Sequence, residues 1–381
     1  MRGAPTRAER RGLVLVFLAL GAFWGAWAAC LPAVRRQAHV SDGELGLALA
    51  AVAVVSVPVM LVAGRLADRY GPRWVVPGSA LLFAAVMPLP ALAHSLAGLV
   101  VAMAFVGLGT GALDLTMNAA AAGWERLEST HLMSLVHASF SLGVLAGAVS
   151  AGVAREAGAG PLAILGSVAA ATALVAVTQP AYRKVPSEPT ARSGRRLPPF
   201  LVAIGVLTAG AFLCEDALQS WSALQLERGL DASPAVSGLG PGLFAGSMAA
   251  GRLAGGWLSR RLAPQVVFRV AAAVLAAGAV VVAVAPGAPV ALLGLVIAGA
   301  GTSVLAPVLY SAVGTRSEPG RQGADLATVA GVGYVGFLAG PPLVGAVSAG
   351  TSLPVALAGL GGIGLLLAVL GPIVLSGKMS A

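Results

Sequence analysis

Apolar residues run along this chain in long unbroken blocks. They do not alternate as in a half-buried strand, nor do they mark one stripe of a water-facing helix. A helix needs about 20 apolar residues to cross the hydrocarbon core of a bilayer. Twelve blocks reach that scale, at 12–33, 44–64, 74–93, 95–122, 131–154 and 160–180, then 198–221, 234–257, 266–286, 289–313, 324–349 and 352–376. The longest polar stretch, 181–197, carries five basic residues with Pro186 and Pro189 and reads as a flexible linker. The pattern predicts an all-α membrane protein with twelve transmembrane helices. They fall into a six-helix bundle at 1–180, the linker 181–197, and a second six-helix bundle at 198–381.

Composition excludes the soluble alternatives. Charged residues are 10% of the 381 positions, against about 25% in a soluble domain, too few to cover a water-facing surface. Hydrophobic residues make 57% and the mean hydropathy is +0.88, which excludes disorder. The 51 glycines and 24 prolines are tolerated in transmembrane helices. The net charge of +9 does not indicate a nucleic-acid partner, because the basic residues sit in short clusters between apolar blocks. Cys30 and Cys214 offer neither a metal spacing nor a disulfide framework, and read as buried small hydrophobes. Arg2, Arg7, Arg10 and Arg11 imitate the start of a signal peptide, but the apolar run behind them is too long, so the first helix is expected to stay uncleaved.

Basic residues orient the spans. With an inside N-terminus, twenty Lys and Arg fall on the inner side and four on the outer: Arg35, Arg36, Arg155 and Arg228. Both termini are therefore expected in the cytoplasm. Scarce Lys beside abundant Arg, Ala and Gly suggests a bacterial source and hence the inner membrane.

The halves repeat at a shift of 192 residues. Ser41, Gly46 and Leu47 fall on Ser233, Gly238 and Leu239; Gly64, Leu66, Arg69 and Pro72 fall on Gly256, Leu258, Arg261 and Pro264; Gly107, Gly109, Thr110 and Leu113 fall on Gly299, Gly301, Thr302 and Leu305. Parallel repeats of this kind rock about a midplane site and give alternating access, which favours a transporter over an enzyme or a channel.

The segment Gly64-Arg65-Leu66-Ala67-Asp68-Arg69-Tyr70-Gly71-Pro72-Arg73 resembles the loop signature between helices two and three of the major facilitator superfamily. The resemblance implies a gating role for Gly64, Asp68, Arg69, Gly71 and Arg73. The second copy departs from it, with Arg260 in place of Asp68. A finer resemblance, to the fucose-permease-like branch, covers Gly109 to Asn118, Glu125, His131 to Gly143, and Leu213 to Ser222. That branch sets an acidic residue four before an Asn on helix four, as Asp114 and Asn118 stand here. It commonly shows Asp just before the helix-seven Trp, where this chain has Ser220, with Asp216 one turn earlier. An acidic residue in helix one, frequent in the branch, is missing around Trp24 and Trp27. The superfamily's antiporter signature wants Pro after a helix-five glycine pair; Ala148 follows Gly147, which disfavours drug–proton exchange.

Ionisable side chains at membrane depth cost several kcal/mol and are functional candidates by default. Asp114 lies near the middle of its span, with Asn118 one turn on, and is the candidate coupling carboxyl; its repeat partner is Ala306. His137 is the candidate relay. Glu215 and Asp216, with Gln219, are expected near the outer end of span seven. Trp24, Trp27, Trp221 and Tyr334 are candidate cavity walls, since aromatic faces stack on sugar rings and cations alike. Glu125 and His131 are expected to be solvated at the cytoplasmic edge. Ser41 to Glu44 forms a capping box, the glycines of 143–147 and 336–340 form packing seams, and Pro341-Pro342 should kink span eleven.

The sequence holds no catalytic constellation, P-loop or His-rich metal spacing, so neither an enzyme, a cofactor nor a metal is expected. The expectation is a monomeric transporter driven by an ion gradient, moving a small polar solute, with a sugar among the candidates, together with protons. Proton-driven export of amphipathic or cationic compounds, and a non-transporting sensor with the same fold, are the alternatives.

Overall fold

The computed structural model describes residues 6–128, 132–183, 198–258, 261–318 and 321–376, and all regular structure among them is helical. The first half runs α1 (Arg7–Gln37), α2 (Asp42–Tyr70), α3 (Pro72–Val86), α4 (Leu96–Glu128), α5 (Leu132–Glu156) and α6 (Pro161–Val177). The second runs α7 (Pro199–Leu224, prolonged by a π turn over Gln225–Gly229), α8 (Pro234–Leu258), α9 (Pro264–Val284), α10 (Ala288–Thr302), α11 (Leu305–Arg316), α12 (Gln322–Gly350) and α13 (Leu353–Leu375). Among the described residues ten helical segments are long and apolar enough to span a bilayer, with α10 and α11 counted together; α6 is a shorter apolar helix, and the 25-residue α8 stands at the remaining expected span. Most of the 181–197 linker and His131 lie outside the described residues.

The repeat seen in the sequence is also the register of the helices. Five helix starts recur 192 residues apart: Arg7 and Pro199, Asp42 and Pro234, Pro72 and Pro264, Leu96 and Ala288, Pro161 and Leu353. Side-chain packing repeats with them. Gly107 of α4 lies against Val52 of α2, and Gly299 of α10 lies against Phe244 of α8 at the equivalent positions.

Two compact units result, one of 1–188 with 233–242, the other of 189–232 with 243–381. Within a bilayer no hydrophobic force drives helix against helix, so close van der Waals contact must hold each unit together, and small residues permit it. In the first unit Gly143 and Gly147 of α5 meet the backbone of Leu18 and Ala22, while Gly21 and Gly25 of α1 meet Phe140 and Val144. A methyl group at any of the four would run into a carbonyl oxygen. In the second unit Gly336 and Gly340 of α12 play that part against Ala209 and Leu213 of α7.

Span ten departs from its expected single helix. Pro307 has no N–H for the carbonyl four residues back and its ring crowds it, so the helix breaks at Ser303 and Val304. The equivalent stretch of α4 has Leu115 at the Pro307 position and stays continuous. The α2–α3 connection also departs from expectation. Gly64 to Arg69 belong to the last turns of α2, and Gly71 (φ 76°, ψ 168°) is the whole connection to Pro72. Its N–H donates to the Ala67 carbonyl at 2.8 Å.

The start of α1 carries a second capping box. Thr6 N–H donates to Glu9 Oε2 at 2.7 Å, and Glu9 N–H donates to Thr6 Oγ1 at 3.2 Å. The box at Ser41 and Glu44 has the same form. Glu9, 2% exposed, also receives the Arg183 backbone N–H at 2.9 Å and its guanidinium at 3.0 Å. Next to it the Tyr182 ring lies tilted against Trp124 of α4, centroids 5.5 Å apart, and burial pushes its phenol above the ordinary value. The first residues after α6 are thereby fastened to α1 and α4.

Candidate functional site

In the first unit three polar residues of α4 fall one turn apart along one face: Thr110, Asp114 and Asn118. Asn118 Nδ2 donates to the Asp114 backbone carbonyl at 2.8 Å and to its carboxylate Oδ1 at 3.0 Å. The amide thus holds the carboxylate in place while both residues stay half-buried. Thr110 is 7% exposed, and its hydroxyl has no hydrogen-bond partner among the described residues. A buried polar atom without a partner calls for an explanation, and a ligand is one. In the sequence Thr110 stands out only as part of the repeat, and its spacing of four from Asp114 is the signal that adds it to this stripe.

His137 is exposed on α5 and meets Phe17 of α1 edge-on, with ring centroids 5.5 Å apart. Glu125 is engaged rather than merely solvated: its Oε2 accepts the Met133 N–H at 2.5 Å and caps the first turn of α5. Trp24 is half-buried and contacts Phe23 edge-on at 5.3 Å. Trp27 is 1% exposed, packed in the interior rather than open to a cavity, and its indole N–H has no partner among the described residues.

In the second unit, α7 runs on to Gly229, so Glu215 and Asp216 sit mid-helix and not near its outer end. Glu215 Oε1 stands 3.7 Å from Arg252 Nη2 on α8. Asp216 hydrogen-bonds the Ser220 hydroxyl one turn on. Tyr310 of α11 lies within electrostatic reach of Glu215. Gln219 is buried, and its backbone carbonyl accepts the Ser222 hydroxyl. As one of the twenty basic residues counted on the inner side, Arg252 is expected in a loop, yet it falls inside the apolar block 234–257 and on α8. The structure corrects that assignment. Arg155 stands in the last turn of α5, where it is 8% exposed and donates to the Ala29 carbonyl at 2.7 Å.

Tyr334 of α12 is half-buried and stacks on Phe337 at 5.8 Å, and Phe337 meets Phe212 of α7 edge-on at 6.3 Å. Trp221 is fully buried, and its indole donates to the Pro341 carbonyl at 3.1 Å, so it packs inside its unit rather than lining a cavity. Both cysteines are buried. Of the α2–α3 motif, Gly64 approaches Leu115 of α4, Asp68 is exposed on the last turn of α2, and Arg69 and Arg73 stack over Tyr70 and Trp74. In its second copy the side chains of 256–260 lie outside the described residues, and Arg261 is exposed.

A sequence model described as Major Facilitator Superfamily matches residues 12–297. An uncharacterised MFS-type transporter of Yersinia pestis is 28% identical over 354 residues, covering 92% of each chain. In structure, the inward-open xylose transporter XylE of E. coli superimposes with a TM-score of 0.76 at 12% identity, covering 94% of both chains. The fucose:proton symporter FucP of E. coli does so at 0.63 and 16% identity, covering 98% of this chain and 99% of its own. At such identities these two likenesses are of fold.

Proposed function

Because the chain belongs to the Major Facilitator Superfamily, whose members are transporters and not enzymes, we propose that it is a proton-coupled secondary transporter moving a small polar organic solute, a sugar among the candidates. It works by alternating access of two six-helix bundles, 1–180 and 198–381, about the linker 181–197. The observation that carries this reading is the Thr110, Asp114 and Asn118 stripe on α4: a carboxyl held by an amide, one turn from a buried hydroxyl without a hydrogen-bond partner among the described residues. A carboxyl placed so in an apolar helix can take and release a proton, and the amide and hydroxyl can bind solute hydroxyls. His137 serves as relay, and Trp24 and Tyr334 give stacking faces. The Gly64 to Arg73 segment, with Asp68, Arg69, Gly71 and Arg73, acts as the gate.

The protein sits as a monomer in the bacterial inner membrane, with both termini in the cytoplasm. The basic asymmetry supports that orientation, and it survives moving Arg252 and Arg155 out of the loop tallies.

The test uses proteoliposomes loaded with a pH dye and challenged from outside with a panel of monosaccharides. Internal acidification with one sugar, abolished in Asp114→Asn, is the expected result. Acidification with none of them sinks sugar symport. Acidification that survives Asp114→Asn keeps the transporter and removes Asp114 as its coupling site.

A further inference from the structure

Two carboxyls in the middle of α7, Glu215 and Asp216, lie close to Arg252 in the last third of α8, and the formal charges of these three side chains do not cancel. Arg252 stands 3.7 Å from Glu215, and its Nη2 also lies 3.7 Å from the Met248 sulfur. Asp216, the next residue on α7, has the neutral hydroxyl of Ser220 as its hydrogen-bonding partner. With both carboxyls ionised, two negative charges face one positive charge between apolar helices, where net charge is expensive.

Asp216 also shares a helix face with Phe212, one turn earlier. From Phe212 the aromatic surface continues to Phe337 at 6.3 Å and Tyr334 at 5.8 Å, all three rings half-buried. Aromatic faces carry negative potential and attract cations, and a carboxylate beside them adds charge and hydrogen-bond acceptors. An anion would meet the faces of these rings and a second carboxylate unfavourably.

We infer that the second unit holds a cation site for a protonated amine borne by the solute, formed by Asp216 and Glu215 beside Phe212, Tyr334 and Phe337, with Arg252 as the built-in counter-ion to one carboxylate. This rests on the transporter reading above and narrows it: the solute carries an amino group. The ammonium supplies the missing positive charge, its N–H groups donate to Asp216, and its carbon frame lies on the rings.

The test compares three probes of one shape on the purified full-length protein in lipid nanodiscs: cyclohexylamine, cyclohexanol and cyclohexanecarboxylate. Thermal stabilisation is followed against probe concentration. Stabilisation by the amine and not by the other two is expected. Its half-saturating concentration should rise about tenfold or more in Asp216→Asn, from loss of a charge-assisted contact, and should also rise in Phe337→Leu. Glu44→Gln, which removes an exposed carboxylate elsewhere, should leave it unchanged. If Asp216→Asn does not fold, Phe337→Leu and Glu215→Gln carry the test.

Absence of stabilisation by the amine overturns the proposal. So does equal stabilisation by the alcohol, or an amine response unchanged in the variants. Stabilisation by the acid alone would overturn it in favour of Arg252 as the ligand group. Amine binding without solute flux would keep the site and remove the transport reading, and sugar-driven acidification without amine binding would do the reverse.

Discussion

Glu9 and Arg183 lie 174 residues apart in the chain, yet the Glu9 carboxylate takes both the backbone N–H of Arg183, at 2.9 Å, and its guanidinium, at 3.0 Å. The contact closes the first unit at its ends, joining the first turn of α1 to the segment leaving α6. Glu9 is buried while Arg183 is half in solvent, so the pair is worth less than a fully buried one. Glu9→Ala should lower stability by about 1–2 kcal/mol, through lost hydrogen bonds and a lost cap. Arg183→Ala should cost less, because the backbone N–H remains. Melting temperatures of the two purified variants check the order; equal effects would mean the guanidinium dominates.

Arg252 and Glu215 should show coupling. Arg252→Met takes the cation from beside Glu215 among apolar helices, and Glu215→Gln removes the carboxylate that stands 3.7 Å from Arg252, each at a cost of about 1–3 kcal/mol. The double variant should be more stable than the sum of the two losses predicts, by about 1 kcal/mol. A double-mutant cycle on melting or denaturant stability measures this, and additive losses would show that the 3.7 Å approach carries no energy.

The α1–α5 seam tolerates no added carbon. Gly147→Ala should destabilise by about 1–3 kcal/mol, since a methyl group there meets the backbone of Ala22. Gly166→Ala on α6 has open space around the new carbon and should be neutral or stabilising by up to about 1 kcal/mol. The contrast between the two, read as melting temperature or yield of folded protein, tests the packing directly.

Gly71 holds φ at 76°, a conformation that L side chains rarely adopt, and forms the entire link between α2 and α3. Gly71→Ala should cost about 1 kcal/mol or more. Gly71→Asn should cost about as much, because ψ of 168° lies outside the left-handed helical region that asparagine tolerates. An asparagine variant clearly more stable than the alanine variant in thermal melts would mean that the turn has rearranged.

Asn118→Ala removes the amide that holds the Asp114 carboxylate. Solute binding to the reconstituted protein should weaken about tenfold while the melting temperature changes little, because a single exchanged hydrogen bond is worth only about 1 kcal/mol. A large stability loss with unchanged binding would make the pair structural.

The sequence by itself determined the number and placement of the spans, because apolar length against bilayer thickness is a one-dimensional property. It also determined the 192-residue repeat, the Ser41 capping box and the glycine seams, each written in local spacing. The Asp114–Asn118 pair was legible for the same reason, since residues four apart on a helix must meet. The capping box at Thr6 and Glu9 was equally local and went unread behind the basic N-terminal residues. Tertiary structure alone decided which distant groups face each other. Arg252 reads in one dimension as one more basic residue near a loop; only the crossing of α8 and α7 turns it into the partner of Glu215. Trp221 reads as a cavity aromatic until α12 brings the Pro341 carbonyl to its indole. Such contacts depend on how helices rotate and cross, which is set by the summed packing of many small residues and by no single motif.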